Sequence, residues 1–426
     1  MMSRIGASVM RFMQRACSGP MITRRFACGA TLIAASAVAC THQAPIGART
    51  AGDDWLATWE GPPQLTEDRN MPPAPGLSNK ALRQVIHITV GGSHWRYKFS
   101  NEFGNAPLAI ASVSVAASVG HDTLDVSSVA AVRFSGSAST VIPAGSTAMS
   151  DEVALNVRPL SNIAITTVFG AVPSGLTGHP GSRTTSYVAD ASRRDAAHLT
   201  GAQAIEHWYA LSNAEVRAPS AAAVVILGNS IADGRGSGTD RNNRWPDNFA
   251  RRLAAESPNV AVLNAGIGGN AVLRAGLGPT AMERLERDVL AQRGVKWVIV
   301  SEGVNDVGAA RADSSAIVAR GLISAYGEII RQAHTRGMRV LGATMLPFAR
   351  SQYGSAAHEA ARRAINDWVR TSGAFDGVID FDAAMRDSAD ATRLRADGDS
   401  GDHLHPNERG YEIMANAIPL SFFVPR

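Results

Sequence analysis

Two short stretches of the sequence contain the residue types that nucleophilic catalysis needs. Ser230 follows the apolar run AAAVVILGN, and Asp402 precedes His405 by three residues in DHLHP, near the other end of the chain. A serine hydroxyl is a poor nucleophile until a base removes its proton. An imidazole whose Nδ1 is held by a carboxylate leaves Nε2 free to act as that base. Together these three residues would support acyl transfer through a covalent intermediate on Ser230.

Two loops between these stretches carry candidate donors for the negative charge that develops in acyl transfer. The first, NAGIGGNAV, contains Gly268 and Gly269, whose lack of a side chain lets the backbone approach a ligand closely. The second, SEGVND, presents the side-chain amide of Asn305. We expect the neighbouring Asp306 to be a loop-holding acid.

Each of these motifs also has a purely structural explanation. Ser230 is equally a turn residue at the end of a strand, and Gly-Gly and Asn-Asp pairs are ordinary in loops. Pro406 and Asn407 suit the start of a final helix, so DHLHPN is also a capping sequence. The order of the motifs favours chemistry, because Ser230 and both loops each follow an apolar strand candidate.

Strand and helix patterns alternate from about residue 220 to the end of the chain. The strand candidates are AAAVVILG, VAVLNAG, KWVIVSEG, MRVLGATMLP and DGVIDFD. Between them, Leu322, Tyr326 and Ile329 recur at helical spacing. Strands with few polar residues that are connected by helices form a parallel sheet covered on both faces. Catalytic groups of such a sheet gather at the carboxyl ends of its strands.

The preceding part of the chain is rich in short strand candidates and has no pattern of a long helix. Gly91-Gly92 predicts a hairpin turn, after which Trp95, Tyr97 and Phe99 alternate with polar residues. Further candidates are separated by Gly, Pro, Asn and Ser at intervals typical of a β-sandwich.

A chain of 426 residues exceeds the usual size of one domain. We predict a polar linker at 41–54, a β-rich accessory domain at 55–205 and an α/β domain at 220–426.

The sequence from about 220 to 420 resembles the SGNH (GDSL-type) hydrolases through GNSI, NAGIGG, GVND and DHLHP. It is most similar to the acylhydrolases and arylesterases associated with xylan-degrading bacteria. The resemblance implies a three-layer α/β/α fold preceded by a β-sandwich-like domain. The site that it implies consists of Ser230 as nucleophile, the backbone of Ser230 and Gly269 with the Asn305 side chain as oxyanion hole, His405 as base and Asp402 as its orienting acid.

One residue departs from the family pattern, and two neighbouring residues have an open role. Asn229 stands where the family usually has Asp. Arg244 and Trp245 are candidates for lining the substrate cleft, although Pro246 equally indicates the start of a helix there.

The resemblance implies a serine esterase that acts on a small-molecule or carbohydrate ester, with short acyl chains, acetylated sugars or aryl esters as substrates. It requires no metal or organic cofactor. Two alternatives use the same fold: a polysaccharide-binding protein whose chemistry has decayed, for which Asn229 is the argument, and an acyltransferase with the same site residues.

Residues 1–40 have the layout of an export signal, with Arg24-Arg25, a short apolar run and then Cys40. Met21 is an alternative start. Cleavage before Cys40 would give a membrane-anchored lipoprotein, and cleavage after small residues would give a protein exported in soluble form.

The leader holds five arginines and no acidic residue, which leaves 36 basic against 37 acidic residues elsewhere. The net charge of the rest of the chain therefore gives no case for nucleic-acid binding. All three cysteines also lie in the leader.

Overall fold

The computed structural model describes residues 54–424. The predicted export signal at 1–40, with Cys40, and the linker up to residue 53 lie outside the described residues and stay predictions. Within 54–424, no helix combines the length and the apolar character that crossing a membrane would need.

Residues 55–217, which we call the β-rich region, form antiparallel sheets, as the sequence predicted. In chain order the strands are β1 (Trp55–Glu60), β2 (Gln64–Leu65), β3 (Lys80–Ile88), β4 (Gly92–Ser100), β5 (Leu108–Gly120), β6 (Thr123–Leu124), β7 (Ala130–Val132), β8 (Thr140–Ile142), β9 (Thr147–Met149), β10 (Val153–Val157), β11 (Ser161–Phe169), β12 (Thr177–His179), β13 (Ser186–Asp190), β14 (Gln203–Ile205), β15 (Trp208–Tyr209) and β16 (Leu211–Arg217). One sheet has the order β1-β16-β4-β10, with β9 beside β4. A second has the order β14-β13-β3-β11-β5-β6, with β7 and β8 beside β5, and a small third has the order β15-β12-β2.

Gly91 and Gly92 do not form the hairpin predicted from the sequence. Strand β3 pairs with β11 and β13, whereas β4 pairs with β16, β10 and β9, so the two glycines lead the chain from one sheet into the other. Close packing explains why they are glycines. A Cβ at Gly91 would lie 2.3 Å from the carbonyl oxygen of Val157, and one at Gly92 would lie 2.5 Å from Cγ2 of Val216.

The alternation predicted for β4 is confirmed. Trp95, Tyr97 and Phe99 are fully buried on one face of the strand, while His94 on the other face is exposed. These rings belong to one continuous apolar core that also includes the strands of the following region.

Residues 222–424, which we call the C-terminal region, alternate strands with helices. The strands are β17 (Ala222–Gly228), β18 (Val260–Gly266), β19 (Val295–Ser301), β20 (Arg339–Ala343) and β21 (Gly377–Ile379). The helices are α1 (Ser230–Asp233), α2 (Trp245–Glu256), α3 (Ala281–Leu285) with a π-helical turn at Glu286–Leu290, α4 (Val304–Gly308), α5 (Ser315–Thr335), α6 (Ala356–Thr371), α7 (Phe381–Met385) and α8 (Glu408–Asn416).

The five strands form a parallel sheet in the order β18-β17-β19-β20-β21, as predicted. All seven residues of β17 are buried although successive side chains point to opposite faces, so both faces of the sheet are covered. The residues predicted at helical spacing, Leu322, Tyr326 and Ile329, form the buried face of α5.

The three neighbouring strands β18, β17 and β19 end level with one another. Gly228 of β17 lies opposite Gly266 of β18 and Ser301 of β19. The loops that follow these strands therefore begin at the same edge of the sheet, and this edge holds Ser230 and the two candidate donor loops.

The β-rich region packs directly on the C-terminal region. The backbone N–H of Ala57 in β1 donates to the carbonyl of Arg293 at 3.1 Å. The backbone N–H of Val262 in β18 donates to Oγ1 of Thr89 at 3.0 Å. Farther along the contact, His179 of β12 and Asp233 of α1 approach to 3.0 Å and are both buried.

Candidate active site

Ser230 and His405 are brought together although 175 positions separate them in the chain. Ser230 opens α1 directly after the sheet edge, and its Oγ lies 2.8 Å from Nε2 of His405. On the other side of the ring, Nδ1 lies 2.7 Å from Oδ2 of Asp402. A carboxylate only accepts hydrogen bonds, so the ring proton belongs on Nδ1, and Nε2 accepts from the serine hydroxyl.

The turn before α8 holds Asp402 and His405 in this geometry. Oδ1 of Asp402 accepts hydrogen bonds from the backbone N–H groups of Leu404 and His405, at 3.0 and 2.8 Å. Asn407 then caps α8, where its side chain accepts from the N–H of Gly410 at 2.9 Å. The stretch DHLHPN therefore caps the last helix and also positions the His-Asp pair.

The pKa values of this pair favour a neutral base beside an ionised acid. Burial lowers the pKa of His405, and the charges of Arg235 and Arg183 lower it further, while Asp402 opposes the shift. Burial would raise the pKa of Asp402, but hydrogen bonds from the backbone N–H of His405, the His405 ring and the N–H of Leu404 bring it to about 2. At neutral pH, Nε2 of His405 can therefore accept a proton.

Asn305 and Gly269 lie at the same edge of the sheet as Ser230 and line one cleft with it. The Asn305 amide is fixed at both ends, since Nδ2 donates to the carbonyl of Asn270 at 2.7 Å and Oδ1 accepts from the Tyr353 hydroxyl at 3.0 Å. Gly269 has φ of +73°, a left-handed conformation that favours glycine.

Asp306 holds the glycine loop, as expected from the sequence. Its two carboxylate oxygens accept hydrogen bonds from the backbone N–H groups of Val272 and Leu273, each at 2.9 Å. The loop after β18 is thereby fastened to α4, which carries Asn305.

Asn229 points away from the cleft and has partners for both ends of its amide. Its Oδ1 accepts from the N–H of Ile231 at 3.1 Å, and its Nδ2 donates to the carbonyl of Ser301 at 3.3 Å and to Oε2 of Glu302 at 3.2 Å. Burial raises the pKa of Glu302 to about 8, although the nearby Arg284 charge and the Asn229 hydrogen bond oppose this. Asn229 therefore contacts a buried acid rather than the reacting groups.

Arg244 and Trp245 lie away from the cleft, which corrects the prediction that they line it. Trp245 is fully buried, with its ring edge-on to Phe381 at 5.1 Å between centroids. Arg244 binds the Asp247 carboxylate through its backbone N–H at 3.0 Å and its Nε at 2.7 Å. Both residues serve the first turn of α2, where Pro246 stands near the start, as the alternative interpretation proposed.

The cleft in front of Ser230 has a volume of about 410 Å³, and both regions of the protein line it. The C-terminal region contributes Ser230, Asn305 and His405, and the β-rich region contributes Arg69 and Arg183. Within residues 54–424, no group of three or more His, Cys, Asp or Glu side chains is placed to hold a metal ion.

Three residues that support the site were missed by sequence reasoning, as were Arg69 and Arg183, which line the cleft. Asn270 stands next to the glycine pair that the sequence singled out, and that adjacency was the available signal. Tyr353 and Glu302 carry no comparable signal. Tyr353 contacts Asn305 only in the folded chain. Glu302 belongs to the stretch SEGVND, in which only Asn305 and Asp306 were assigned roles.

The covered parallel sheet, with polar side chains gathered at its carboxyl edge, defines a three-layer α/β/α domain. Residues 226–413 match the GDSL-like lipase/acylhydrolase family, a range that includes Ser230, Asn305 and His405. The C-terminal region therefore contains a GDSL-like lipase/acylhydrolase domain, which supports a hydrolase.

Solved structures similar to just under half of this chain carry related descriptions. A lipase/acylhydrolase from Enterococcus faecalis is 20% identical, with 47% of this chain and 95% of that chain covered and a TM-score of 0.37. A GDSL-like lipase from Bacteroides thetaiotaomicron is 18% identical, with 47% and 89% covered and a TM-score of 0.35. The acetyl xylan esterase AlAXEase is 19% identical, with 46% and 96% covered and a TM-score of 0.35. No curated protein matches the chain.

Proposed function

We propose that the protein hydrolyses carboxylic esters through an acyl-enzyme on Ser230. The observation that carries the proposal is the hydrogen-bonded series from Ser230 Oγ to His405 to Asp402 at the cleft, with distances of 2.8 and 2.7 Å. Ser230 Oγ attacks the ester carbonyl carbon while His405 Nε2 accepts its proton and then gives it to the leaving alcohol. Water deprotonated by His405 attacks the acyl-enzyme next, which releases the acid and restores Ser230.

The oxyanion of each tetrahedral intermediate would be bound by Asn305 and by backbone N–H groups of Ser230 and Gly269. The hydrogen bonds to Asn270 and Tyr353 fix the Asn305 amide in advance, so little reorganisation is needed as charge develops. Donors placed in this way act mainly on the transition state.

The substrates that we propose are esters of short acyl chains on a sugar or an aryl alcohol. The test is hydrolysis of p-nitrophenyl esters from acetate upwards by the purified protein. Ser230→Ala and His405→Ala should each lower kcat/KM by about 10³-fold or more, and the double variant should be hardly worse than either single one. Fold-losses in kcat/KM that multiply in the double variant would rule out this mechanism. So would a Ser230→Ala protein that still hydrolyses the esters.

A binding protein with a decayed site would behave differently. It would hydrolyse none of these esters in its native form and would gain activity when Asn229→Asp restores the usual family residue. The partners of Asn229 favour the esterase, because its side chain bonds to Glu302 and Ser301 rather than to the hydroxyl of Ser230.

We also propose that the mature protein leaves the cytoplasm with its new end at or near Cys40. Mass spectrometry of the native N-terminus tests this proposal. A diacylated Cys40 indicates a lipoprotein and an unmodified new terminus indicates soluble export. An intact Met1 or Met21 would contradict the proposal.

A further inference from the structure

We propose that the β-rich region makes the cleft selective for esters that carry a second, anionic group, a carboxylate or a phosphate. Arg183 is the residue that would bind this group, with Arg69 as a second cation of the β-rich region that lines the same cleft. The inference rests on the proposed esterase function and deepens it by naming the substrate class.

Arg183 is held at the cleft by contacts between the two regions. It lies on the turn between β12 and β13 with φ of +51°, a strained value for a residue other than glycine. The Asp240 N–H donates to the carbonyl of Arg183 at 3.0 Å. The Asp240 carboxylate in turn accepts from the N–H and the hydroxyl of Thr185, at 2.7 and 2.6 Å. A loop of the C-terminal region thus fixes the turn that carries Arg183.

The Arg183 side chain has unused binding capacity. Its Nε is buried and has no hydrogen-bond partner among the described residues. A buried donor left unpaired is costly, so such atoms in a cleft are candidates for pairing with a ligand. The guanidinium is also close enough to His405 for its charge to lower the pKa of that ring, which places it near the reacting groups.

The acidic side chains that line the cleft have other partners. Asp233 contacts His179 at 3.0 Å, and Glu67 accepts from Gln64 and Asn70, at 3.2 and 2.7 Å. Among the described residues, no carboxylate lies within ion-pair distance of Arg183 or Arg69. Neither of these two acids is therefore paired directly with Arg183 or Arg69. A third arginine of the cleft, Arg235, lies 4.0 Å from Asp402.

A guanidinium binds planar oxyanions with two parallel hydrogen bonds, which gives both affinity and orientation. An ester with a carboxylate or phosphate on its alcohol part could place that group on Arg183 while its carbonyl reaches Ser230. A neutral ester of the same shape would make no charge-assisted contact with the Arg183 guanidinium. The β-rich region would thereby select the substrates of a catalytic site whose residues belong to the C-terminal region.

The experiment compares three aryl acetates: 4-acetoxybenzoate, its neutral methyl ester, and 4-acetoxyphenyl phosphate. The measured quantity is the kcat/KM of each anionic ester divided by that of the methyl ester. Arg183→Gln should lower this ratio at least tenfold, and Arg69→Gln, on an exposed residue, should lower it in the same direction. Arg158→Gln is the matched control, because Arg158 is an exposed arginine of the β-rich region outside the cleft.

A ratio that stays at the wild-type value in both Arg183→Gln and Arg69→Gln would overturn the proposal. The phosphate and carboxylate ratios show which anion the site prefers. Raising the salt concentration should lower both ratios if the charges act directly, because salt screens such interactions.

A binding measurement separates this proposal from the esterase function. Calorimetric titration of 4-acetoxybenzoate and its methyl ester into the Ser230→Ala protein requires no turnover. We expect Arg183→Gln, added to the Ser230→Ala protein, to weaken binding of 4-acetoxybenzoate and not of its methyl ester. This result would support the anion site even if the native protein did not hydrolyse p-nitrophenyl acetate. Equal weakening of both ligands, or none, would overturn it.

Discussion

Asn229, beside the candidate nucleophile, has hydrogen-bond partners at both ends of its amide. An Asp at this position would accept hydrogen bonds only, whereas the Asn amide both accepts from Ile231 and donates to Ser301 and Glu302. The two donor hydrogens therefore have acceptors. The charge that the family usually keeps here is replaced by a neutral contact with a buried acid.

Asn229→Asp should consequently change stability more than activity. The new carboxylate would face Glu302, whose pKa burial already raises to about 8, so one proton would be shared between the two acids. When folding raises the pKa of an acid, the protein loses stability as the pH rises through the folded-state pKa. We expect the Tm of the variant to fall further below that of the wild type at pH 9 than at pH 6, with kcat/KM on p-nitrophenyl acetate changed less than about tenfold.

Asn156→Asp is the control for this comparison, because Asn156 is an exposed residue of β10. Its Tm difference from the wild type should be small at both pH values. An equal Tm deficit for Asn229→Asp at pH 6 and pH 9 would contradict the interpretation of the Glu302 contact.

At the scale of single residues, the sequence predicted the members of the site better than their support. Ser230, Asn305 and His405 were identifiable because acyl transfer needs those residue types and because two of them follow buried strands. Tyr353 and Arg183 were not, since each reaches the site through the folded chain and neither belongs to a local pattern. The two interpretations of Arg244 could not be separated, because a capping pair and a cleft residue look alike in sequence.

At the scale of elements, the turn before α8 governs the protonation of the base. His405 faces Asp402 on its own turn, Arg235 after α1 and Arg183 from the β-rich region, and the two arginines lower its pKa together with burial. The rate should therefore rise with pH as His405 loses its proton. The midpoint of that rise should lie below the ordinary histidine value of about 6.5.

Arg235→Gln tests this account of the base. Removing one positive charge should raise the pKa of His405, so the midpoint of kcat/KM against pH should move to higher pH. Arg158→Gln, on a distant exposed arginine, should leave the midpoint where it is. A midpoint that moves to lower pH in Arg235→Gln would contradict the assignment of the profile to His405.

Strands and helices with a clear hydrophobic pattern could be predicted from the sequence, whereas the pairing of the strands was harder to predict. The five parallel strands and the buried face of α5 followed from apolar runs and helical spacing, because burial imposes those patterns on the sequence. The Gly91-Gly92 turn was visible too. It did not form a hairpin because β3 and β4 pair with other strands. Val157 and Val216, from distant parts of the chain, pack against the two glycines.

At the scale of the whole molecule, the two regions share their core and their cleft. The contact between His179 and Asp233 links the two regions at α1, because Asp233 follows Ser230 by three residues in that helix. Both ring nitrogens of His179 face oxygens, with Nδ1 at 3.0 Å from the carbonyl of Pro62 and Nε2 at 3.0 Å from Oδ1 of Asp233. The β-rich region is therefore expected to support the site mechanically as well as to line it.

His179→Ala should accordingly destabilise both regions together. It leaves the Asp233 carboxylate buried without its partner, which costs about 3 to 5 kcal/mol in the free energy of unfolding. Because the regions share one core, we expect a single thermal transition at a lower Tm, with esterase activity lost over the same temperatures as the near-ultraviolet circular dichroism. His198→Ala, on an exposed histidine of the β-rich region, should change stability by less than about 0.5 kcal/mol. Two separate transitions, with activity surviving the first, would show that the β-rich region folds independently of the site that it lines.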